Sequence, residues 1–137
     1  MSQRVCILLL GSNLGDTKKN IEIAVEYLEK AGLVVLKKSE FLFTEPVEFV
    51  SSNIFCNFAV SISTTVSPIN LLKIIKKIER EMGRNMDSTF FNQYQDRIID
   101  IDIVSFGSLV FKGKTLEIPH QKHLCERDFS KTLINQL

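Results

Sequence analysis

The stretch Arg97-Ile-Ile-Asp100-Ile-Asp102-Ile103 alternates apolar and acidic side chains. Successive side chains of an extended strand point to opposite faces, so the isoleucines at 99, 101 and 103 share one face and the two aspartates share the other. The aspartate Cα atoms would lie roughly 6.6 Å apart. Carboxylates that close can bind two divalent cations about 4 Å apart. The alternative is a strand with a solvated acidic face, which leaves two like charges side by side without compensation.

The residues on either side give an alternating order of strands and helices. An unbroken apolar run at Val5–Leu10 predicts a central strand that is covered on both faces. A helix follows that is capped by Asp16 and ends at Gly32, and after it come two strands, at Leu33–Phe43 and Phe55–Ser63. A second helix begins at Ser67 and Pro68 and ends before Gly83. The two-aspartate strand comes next, and then a hairpin with turns at Gly107 and Gly113. The C-terminal segment offers at most one more strand.

This order predicts an α+β protein, specifically a ferredoxin-like α/β sandwich with an antiparallel sheet, both helices on one side, and long active-site loops. The length of 137 residues is that of a single domain, residues 1–137. With 45% hydrophobic and 24% charged residues, the chain has the composition of a globular protein.

The net charge of +1 gives no whole-molecule field that would select nucleic acid or a membrane surface, so we expect neither partner. The three cysteines, Cys6, Cys56 and Cys125, have no metal-ligand spacing. There is no signal peptide and no apolar run near 18 residues. These features predict a cytoplasmic protein with reduced cysteines, and we expect a monomer.

Residues 84–96 run without helical or strand periodicity, which is typical of a lid or binding loop, and arginines stand at both ends of the segment, Arg84 and Arg97. His120 and Arg127 follow further along. Paired carboxylates with arginines suit phosphoryl transfer from a nucleotide, whereas no Ser-His-Asp or Cys-His nucleophile is evident. The turn Gly11-Ser-Asn-Leu-Gly15 lacks the Lys-Ser/Thr of a P-loop, and we interpret it as structural.

Asn57 lies at the start of a predicted strand, on the face opposite Phe58. Its amide could offer a donor and an acceptor to a heteroaromatic ring, or it could tie down the neighbouring loop. The sequence leaves both interpretations open.

Seven short motifs follow one another along the chain: Leu10-Gly-Ser-Asn-Leu-Gly15, Thr44-Glu-Pro46, Phe55-Cys-Asn57, Ile78-Glu79 with Gly83-Arg84, Arg97-Ile-Ile-Asp-Ile-Asp-Ile103, Ile118-Pro-His120 and Arg127-Asp-Phe129. In these motifs and their order, the chain resembles the 6-hydroxymethyl-7,8-dihydropterin pyrophosphokinases of folate biosynthesis over nearly its whole length. The resemblance implies transfer of pyrophosphate from ATP to the hydroxymethyl oxygen of the pterin, with release of AMP.

The resemblance also implies which residues form the site. The catalytic residues would be Arg84, Arg97, Asp100 and Asp102, and the two aspartates would bind two Mg²⁺ ions. The ATP-binding residues would be Leu72, Lys76, Glu79, Arg84, Arg97, Ile103, His120 and Arg127. The pterin-binding residues would be Thr44, Val47, Phe55, Asn57, Tyr94 and Phe129. The main alternative is a ferredoxin-like module that senses a nucleotide or metal without turnover, and a second is a related pterin aldolase.

Overall fold

The computed structural model describes residues 3–45, 54–83, 98–121, 123 and 127–137. Its elements are, in order, β1 (Arg4–Ser12), α1 (Thr17–Lys30), β2 (Val34–Lys38), β3 (Leu42–Thr44), β4 (Phe55–Thr64), α2 (Pro68–Glu81), β5 (Asp100–Phe106), β6 (Phe111–Lys112), β7 (Glu117–Ile118) and α3 (Asp128–Ile134).

The sheet is organised around β1, which pairs antiparallel with β4 on one side and with β5 on the other. The strand order is β2-β4-β1-β5, and β3 pairs with β4 beside β2. This is the arrangement of a β-α-β-β-α-β ferredoxin-like unit, so the predicted α+β fold with an antiparallel sheet is confirmed. β6 and β7 form the predicted hairpin as a separate two-stranded sheet.

Both predicted helix caps are present. The Asp16 carboxylate accepts a hydrogen bond from the backbone N–H of Lys19, and the Ser67 side chain accepts one from the N–H of Asn70, each at 3.2 Å. Each cap satisfies an N–H that the first helical turn leaves without a partner. The apolar stripes of α1 and α2 then pack with the sheet in one core that includes Leu8, Leu10, Ile21, Leu28, Leu71, Ile75, Ile99, Ile101 and Ile103.

The single strand predicted at Leu33–Phe43 is wrong, because the chain forms two strands that are separated at residues 39–41. Ser39 bridges the break: its N–H donates to the Ala59 carbonyl at 2.9 Å, and its hydroxyl accepts from the Ala59 N–H at 2.8 Å. A serine hydroxyl can replace a backbone carbonyl in this way, and this local competition is not visible in the hydrophobic pattern.

The C-terminal segment forms the helix α3, so the expectation of at most one more strand is wrong. Leu133 of α3 packs with Leu9, Ala59 and Val104 on the face of the sheet opposite α1 and α2. The two predicted helices, α1 and α2, do lie on one side of the sheet, as expected, and α3 is an additional helix on the other side. Phe129, Leu133 and Leu137 recur every four residues, which is a helical spacing in a segment too short to show a full amphipathic pattern.

Within the described ranges, each helix is too short or too polar to cross a membrane.

Cys6 provides a test of the core. The side chain is fully buried in β1, and burial raises the pKa of its thiol to about 11. The folded thiol therefore keeps its proton to a higher pH than the unfolded thiol. We expect the free energy of unfolding to fall as the pH rises from 9 to 11, by up to about 2–3 kcal/mol from this residue, because one pKa unit corresponds to about 1.36 kcal/mol. Denaturant titrations of the wild type and Cys6→Ala at pH 8, 9, 10 and 11 check this. If the free energy of unfolding changes with pH equally in the wild type and in Cys6→Ala, the expectation is contradicted.

Candidate active site

The register of the sheet aligns three residues in one row. Gly11 of β1 is paired with Asn57 on β4 and with Asp100 on β5. In the next row, Leu9 is paired with Ala59 and with Asp102. Side chains of directly paired residues point to the same face of the sheet. Asn57, Asp100 and Asp102 therefore share the face that α3 covers, and Gly11 leaves a gap between Asn57 and Asp100.

The two aspartates project as the sequence predicted. Ile99, Ile101 and Ile103 are buried in the large core, while Asp100 and Asp102 are both partly exposed. The side chain of Asp102 is 33% exposed, so it can be reached from solvent. This confirms the alternation on which the acidic face was predicted.

Glu79 fixes the backbone between the two aspartates. Its side chain is buried on α2, and its Oε2 accepts a hydrogen bond from the N–H of Ile101 at 2.9 Å. The ammonium of Lys76 lies 3.5 Å from Glu79 Oε1, but half of the Lys76 side chain is exposed, so this pair contributes little to stability. The buried bond from Glu79 therefore adds a polar contact to the apolar packing that holds β5 against α2.

Two histidines lie beside Asp102. The Nε2 of His123 is 2.8 Å from Asp102 Oδ2, and its Nδ1 is 2.7 Å from the hydroxyl of Ser130 on α3. The ring of His120 is tilted against that of His123, with the ring centroids 4.2 Å apart. The backbone N–H of His120 donates to the carbonyl of Val104 at 2.8 Å, next to the point where the register between β1 and β5 shifts. Such irregularities often re-aim groups near active sites.

At this end of the site, hydrogen bonding and charge favour an ionised carboxylate at Asp102, while burial favours a neutral imidazole at His120. Burial raises the pKa of Asp102, but the hydrogen bond from His123 and the nearby charges of His123, His120 and Arg127 outweigh it, so the pKa is lowered. Burial is also the main cause that lowers the pKa of His120, although the charge of Asp102 opposes it. The Nδ1 of His120 is buried and has no hydrogen-bond partner among the described residues.

The amide of Asn57 is committed in part to the protein. Its Nδ2 donates to the Leu42 carbonyl at 3.1 Å and to the Thr44 hydroxyl at 2.8 Å. A carbonyl can only accept, so the nitrogen must face β3, and both amide hydrogens are used there. The oxygen faces the gap, since a Cβ placed on Gly11 would lie 3.7 Å from it. Asn57 therefore ties down β3 and can still offer an acceptor to a ligand.

Two aromatic rings lie on the same face as this row. A Cβ on Gly11 would be 3.6 Å from the ring of Phe55, which is paired with Thr44. Phe129 of α3 approaches His123 edge-on, with a centroid distance of 6.4 Å. Both phenylalanines are half-buried and could pack against a planar ligand.

The remaining predicted residues fall into three groups. Leu72 is half-buried at the margin of the large core, and Ile103 is inside that core, so a contact of Ile103 with a nucleotide would fall to its backbone. Arg127 occupies the N-cap position of α3 without a capping hydrogen bond from its side chain, and its charge is near enough to lower the pKa of Asp102. Arg84, Arg97, Val47, Tyr94 and the predicted lid lie outside the described residues.

Sequence reasoning missed Gly11, His123 and Ser130 as parts of the site. A glycine inside a strand is a recognised sign that another group approaches closely, so Gly11 could have been found. The sequence around His123 and Ser130 gave no signal, because the residues that interact are far apart in the chain. His123 is 21 residues from Asp102 and 7 residues from Ser130. These three residues form a Ser-His-Asp chain that the sequence did not indicate. Its serine is fully buried and therefore cannot attack a substrate.

Known proteins are similar to this chain over most of its length. Folic acid synthesis protein FOL1 of Dictyostelium discoideum is 40% identical over 91% of this chain and 18% of its own length. The 2-amino-4-hydroxy-6-hydroxymethyldihydropteridine pyrophosphokinase of Porphyromonas gingivalis is 37% identical over 91% of this chain and 84% of its own length. The chain spans only 17–25% of the length of five of the curated relatives that it matches.

Among solved structures, wild-type Plasmodium falciparum HPPK-DHPS with SDX-DHP aligns with a TM-score of 0.66 at 17% identity, over 98% of this chain and 40% of that one. At this identity the likeness concerns the fold alone. The sequence profile of one family, 7,8-dihydro-6-hydroxymethylpterin-pyrophosphokinase (HPPK), matches residues 7–137. With nearly the whole chain covered by that profile, and with a curated relative of similar length at 37% identity, the chain belongs to the HPPK family.

Proposed function

We propose that the protein transfers pyrophosphate from ATP to the hydroxymethyl oxygen of 6-hydroxymethyl-7,8-dihydropterin. The hydroxymethyl oxygen forms a bond to the β-phosphorus, the bond from that phosphorus to the α,β-bridging oxygen breaks, AMP leaves, and the hydroxyl proton is released. The observation that supports the proposal is the row Asn57–Gly11–Asp100, in which an amide of the kind that can bind a ring and a carboxylate of the kind that can bind a cation flank a glycine on one face of the sheet. Membership of the HPPK family supports it.

The acidic pair fits the two Mg²⁺ ions of the proposal. Asp100 and Asp102 are partly exposed carboxylates on one face, and the lowered pKa of Asp102 keeps that side chain ionised at neutral pH. Carboxylate oxygens are ligands that Mg²⁺ prefers. When bound, Mg²⁺ neutralises phosphate charge and lowers the pKa of a coordinated hydroxyl.

The remaining residues bind and orient the substrates in this proposal. Asn57 accepts a hydrogen bond from the pterin edge, while Phe55 and Phe129 pack against its ring and Thr44 holds the Asn57 amide in place. His120 and Arg127 lie on the Asp102 side and contact the nucleotide. Leu72, Lys76 and Glu79 would also contact the nucleotide, and Arg84 and Arg97 would bind its phosphates. Val47 and Tyr94 would contact the pterin.

A module that senses a nucleotide or metal without turnover remains the alternative function, but it gives no role to the Asn57 oxygen that faces the gap at Gly11. Release of AMP from ATP that requires both hydroxymethyldihydropterin and Mg²⁺ supports the enzyme, and ligand binding without such release supports the sensor. Monomeric state and a cytoplasmic location stay predictions from the sequence.

The metal assignment is tested by Asp100→Asn and Asp102→Asn. Each variant keeps the side-chain volume but loses a charged oxygen ligand, so we expect AMP release to fall at least about 100-fold, or about 2.7 kcal/mol of transition-state stabilisation. Glu26→Gln, on the exposed face of α1, is the matched control and should retain full activity. Wild-type turnover by either aspartate variant at saturating Mg²⁺ would refute the assignment.

The pterin assignment is tested by Asn57→Ala and Thr44→Val. Both variants remove hydrogen bonds that hold β3, but only Asn57→Ala also removes the acceptor that faces the gap. We expect Asn57→Ala to weaken pterin binding roughly 5- to 150-fold, which corresponds to the about 1–3 kcal/mol cost of an unpaired polar group. Titrations should show a smaller effect of Thr44→Val on the pterin and little effect of either variant on ATP. Equal losses of pterin affinity in the two variants would mean that Asn57 only supports β3.

The gap itself is tested by Gly11→Ala and Gly11→Val. A Cβ at this position would meet its neighbours at 3.6–3.8 Å, an ordinary contact distance, so we expect Gly11→Ala to fold with unchanged or slightly higher stability. The larger side chain of Gly11→Val should fill the space between Asn57 and Asp100, so we expect it to weaken pterin binding more than Gly11→Ala does. Thermal unfolding and pterin titration measure the two effects separately. Pterin affinity that is the same in wild type and Gly11→Val would contradict the assignment of the gap.

A further inference from the structure

A series of two hydrogen bonds links the C-terminal helix to the acidic pair. The hydroxyl of Ser130 on α3 is 2.7 Å from His123 Nδ1, and His123 Nε2 is 2.8 Å from Asp102 Oδ2. Phe129, which precedes Ser130, lies edge-on to the imidazole. His123 is therefore held on two sides by α3 and on a third by β5.

Burial limits what this histidine can do. His123 is 2% exposed and Ser130 is 0% exposed, whereas the side chain of Asp102 is 33% exposed. A triphosphate or a pterin can reach Asp102 but not the imidazole behind it. Any effect of His123 on the reaction must therefore act through the residues that it contacts, and of these Asp102 is the one to which it is hydrogen-bonded and which is assigned to the cation.

The chemistry of the three groups fixes the direction of the second bond. An ionised carboxylate only accepts, so the Nε2–H of His123 donates to Asp102. Nδ1 accepts from the Ser130 hydroxyl when the ring is neutral and donates to it when the ring is charged, so Ser130 satisfies Nδ1 in either state. The bond to Asp102 is thus kept in both protonation states, and Oδ2 is held in one position.

We propose that His123 is a positioning residue, which holds the Asp102 carboxylate in the orientation that binds the divalent cation, and that Ser130 orients His123. The inference rests on the proposed function, in which Asp102 is a metal ligand. A residue that is hydrogen-bonded to a metal ligand commonly affects the metal affinity although it does not contact the metal itself. In this arrangement α3 contributes to cation binding although it supplies no ligand.

Apolar packing and a hydrogen bond hold α3 in place against the sheet. Leu133 packs with Leu9, Ala59 and Val104, and the Oε1 of Gln136 accepts a hydrogen bond from the backbone N–H of Glu40 at 2.8 Å. The helix is thus anchored to the strand that carries Asp102 and to the break between β2 and β3. Ser130 is consequently fixed relative to β5.

Two variants of His123 separate its two bonds. A glutamine side chain can place its amide nitrogen near the Nε2 position and keep the bond to Asp102, whereas an asparagine reaches only the Nδ1 position and keeps the bond to Ser130. Each variant loses one hydrogen bond of the chain, so a purely structural role predicts equal effects. We expect His123→Asn to raise the Kd for Mn²⁺ at least about 10-fold, the usual size of such effects, and His123→Gln to raise it less than about threefold. Mn²⁺ is titrated into the whole protein, and free Mn²⁺ is followed by electron paramagnetic resonance.

Thermal unfolding of both variants and the kcat and KM for AMP release complete the experiment. The positioning role predicts that kcat follows Mn²⁺ affinity, with His123→Gln restoring most of what His123→Asn loses, whereas thermal stability falls similarly in both. If the His123 variants do not fold, Ser130→Ala tests the same chain, because the freed imidazole can rotate and should also weaken Mn²⁺ binding.

Equal Mn²⁺ affinities of His123→Asn and His123→Gln would overturn the inference, as would an unchanged Kd in Ser130→Ala or a wild-type protein that binds no Mn²⁺. Failure of the proposed function has a different signature, because the wild type would then release no AMP, whereas an Asp102→Asn variant as active as the wild type would refute the metal assignment on which the inference rests. A protein in which Asp102→Asn is inactive and the two His123 variants bind Mn²⁺ alike would retain the proposed function and lose only the inference about His123.

Discussion

The pairing of β1 with strands on both of its sides is the constraint on which the site depends. Leu8 and Leu10 are fully buried on the face of α1 and α2, and a slip of one residue would turn them to the other face. The burial of these leucines therefore fixes the register, and the register places Gly11 between Asn57 and Asp100. The packing of the core on one face of the sheet thus decides the spacing of polar groups on the other.

The opposite face is where the electrostatics of the site are decided. Two carboxylates on adjacent same-face positions repel, and in the sequence this repulsion favours a bound cation. The structure adds a second source of compensation, since His123 donates a hydrogen bond to Asp102 and the charge of Arg127 lies nearby. Repulsion between the carboxylates therefore favours a cation less strongly than the sequence suggests. The metal assignment depends instead on the partly exposed, ionised oxygen atoms themselves.

Two hydrogen bonds hold the acidic strand from opposite sides. Glu79 binds the backbone at Ile101 from α2, and His123 binds the side chain of Asp102 from the side of α3. β5 is an edge strand of the five-stranded sheet, so its position depends on such contacts more than a central strand would. Because β5 is held by α2 on one face of the sheet and from the α3 side on the other, this edge strand can carry a site that requires fixed geometry.

The sequence by itself determined the features that depend on near neighbours, and tertiary structure decided those that join distant parts of the chain. The alternation of Ile99 to Ile103, the two helix caps and the order of elements in the ferredoxin-like unit follow from local periodicity and local hydrogen bonds. The seven motifs by themselves also indicate the family. The predicted roles of the site residues remain proposals, and those in the two long loops fall outside the described residues. By contrast, the row through Gly11, the bond between His123 and Asp102, and the packing of α3 on the sheet depend on strand register or on a helix docking across the sheet. No window of sequence contains such pairs, because their members are brought together only when the core packs.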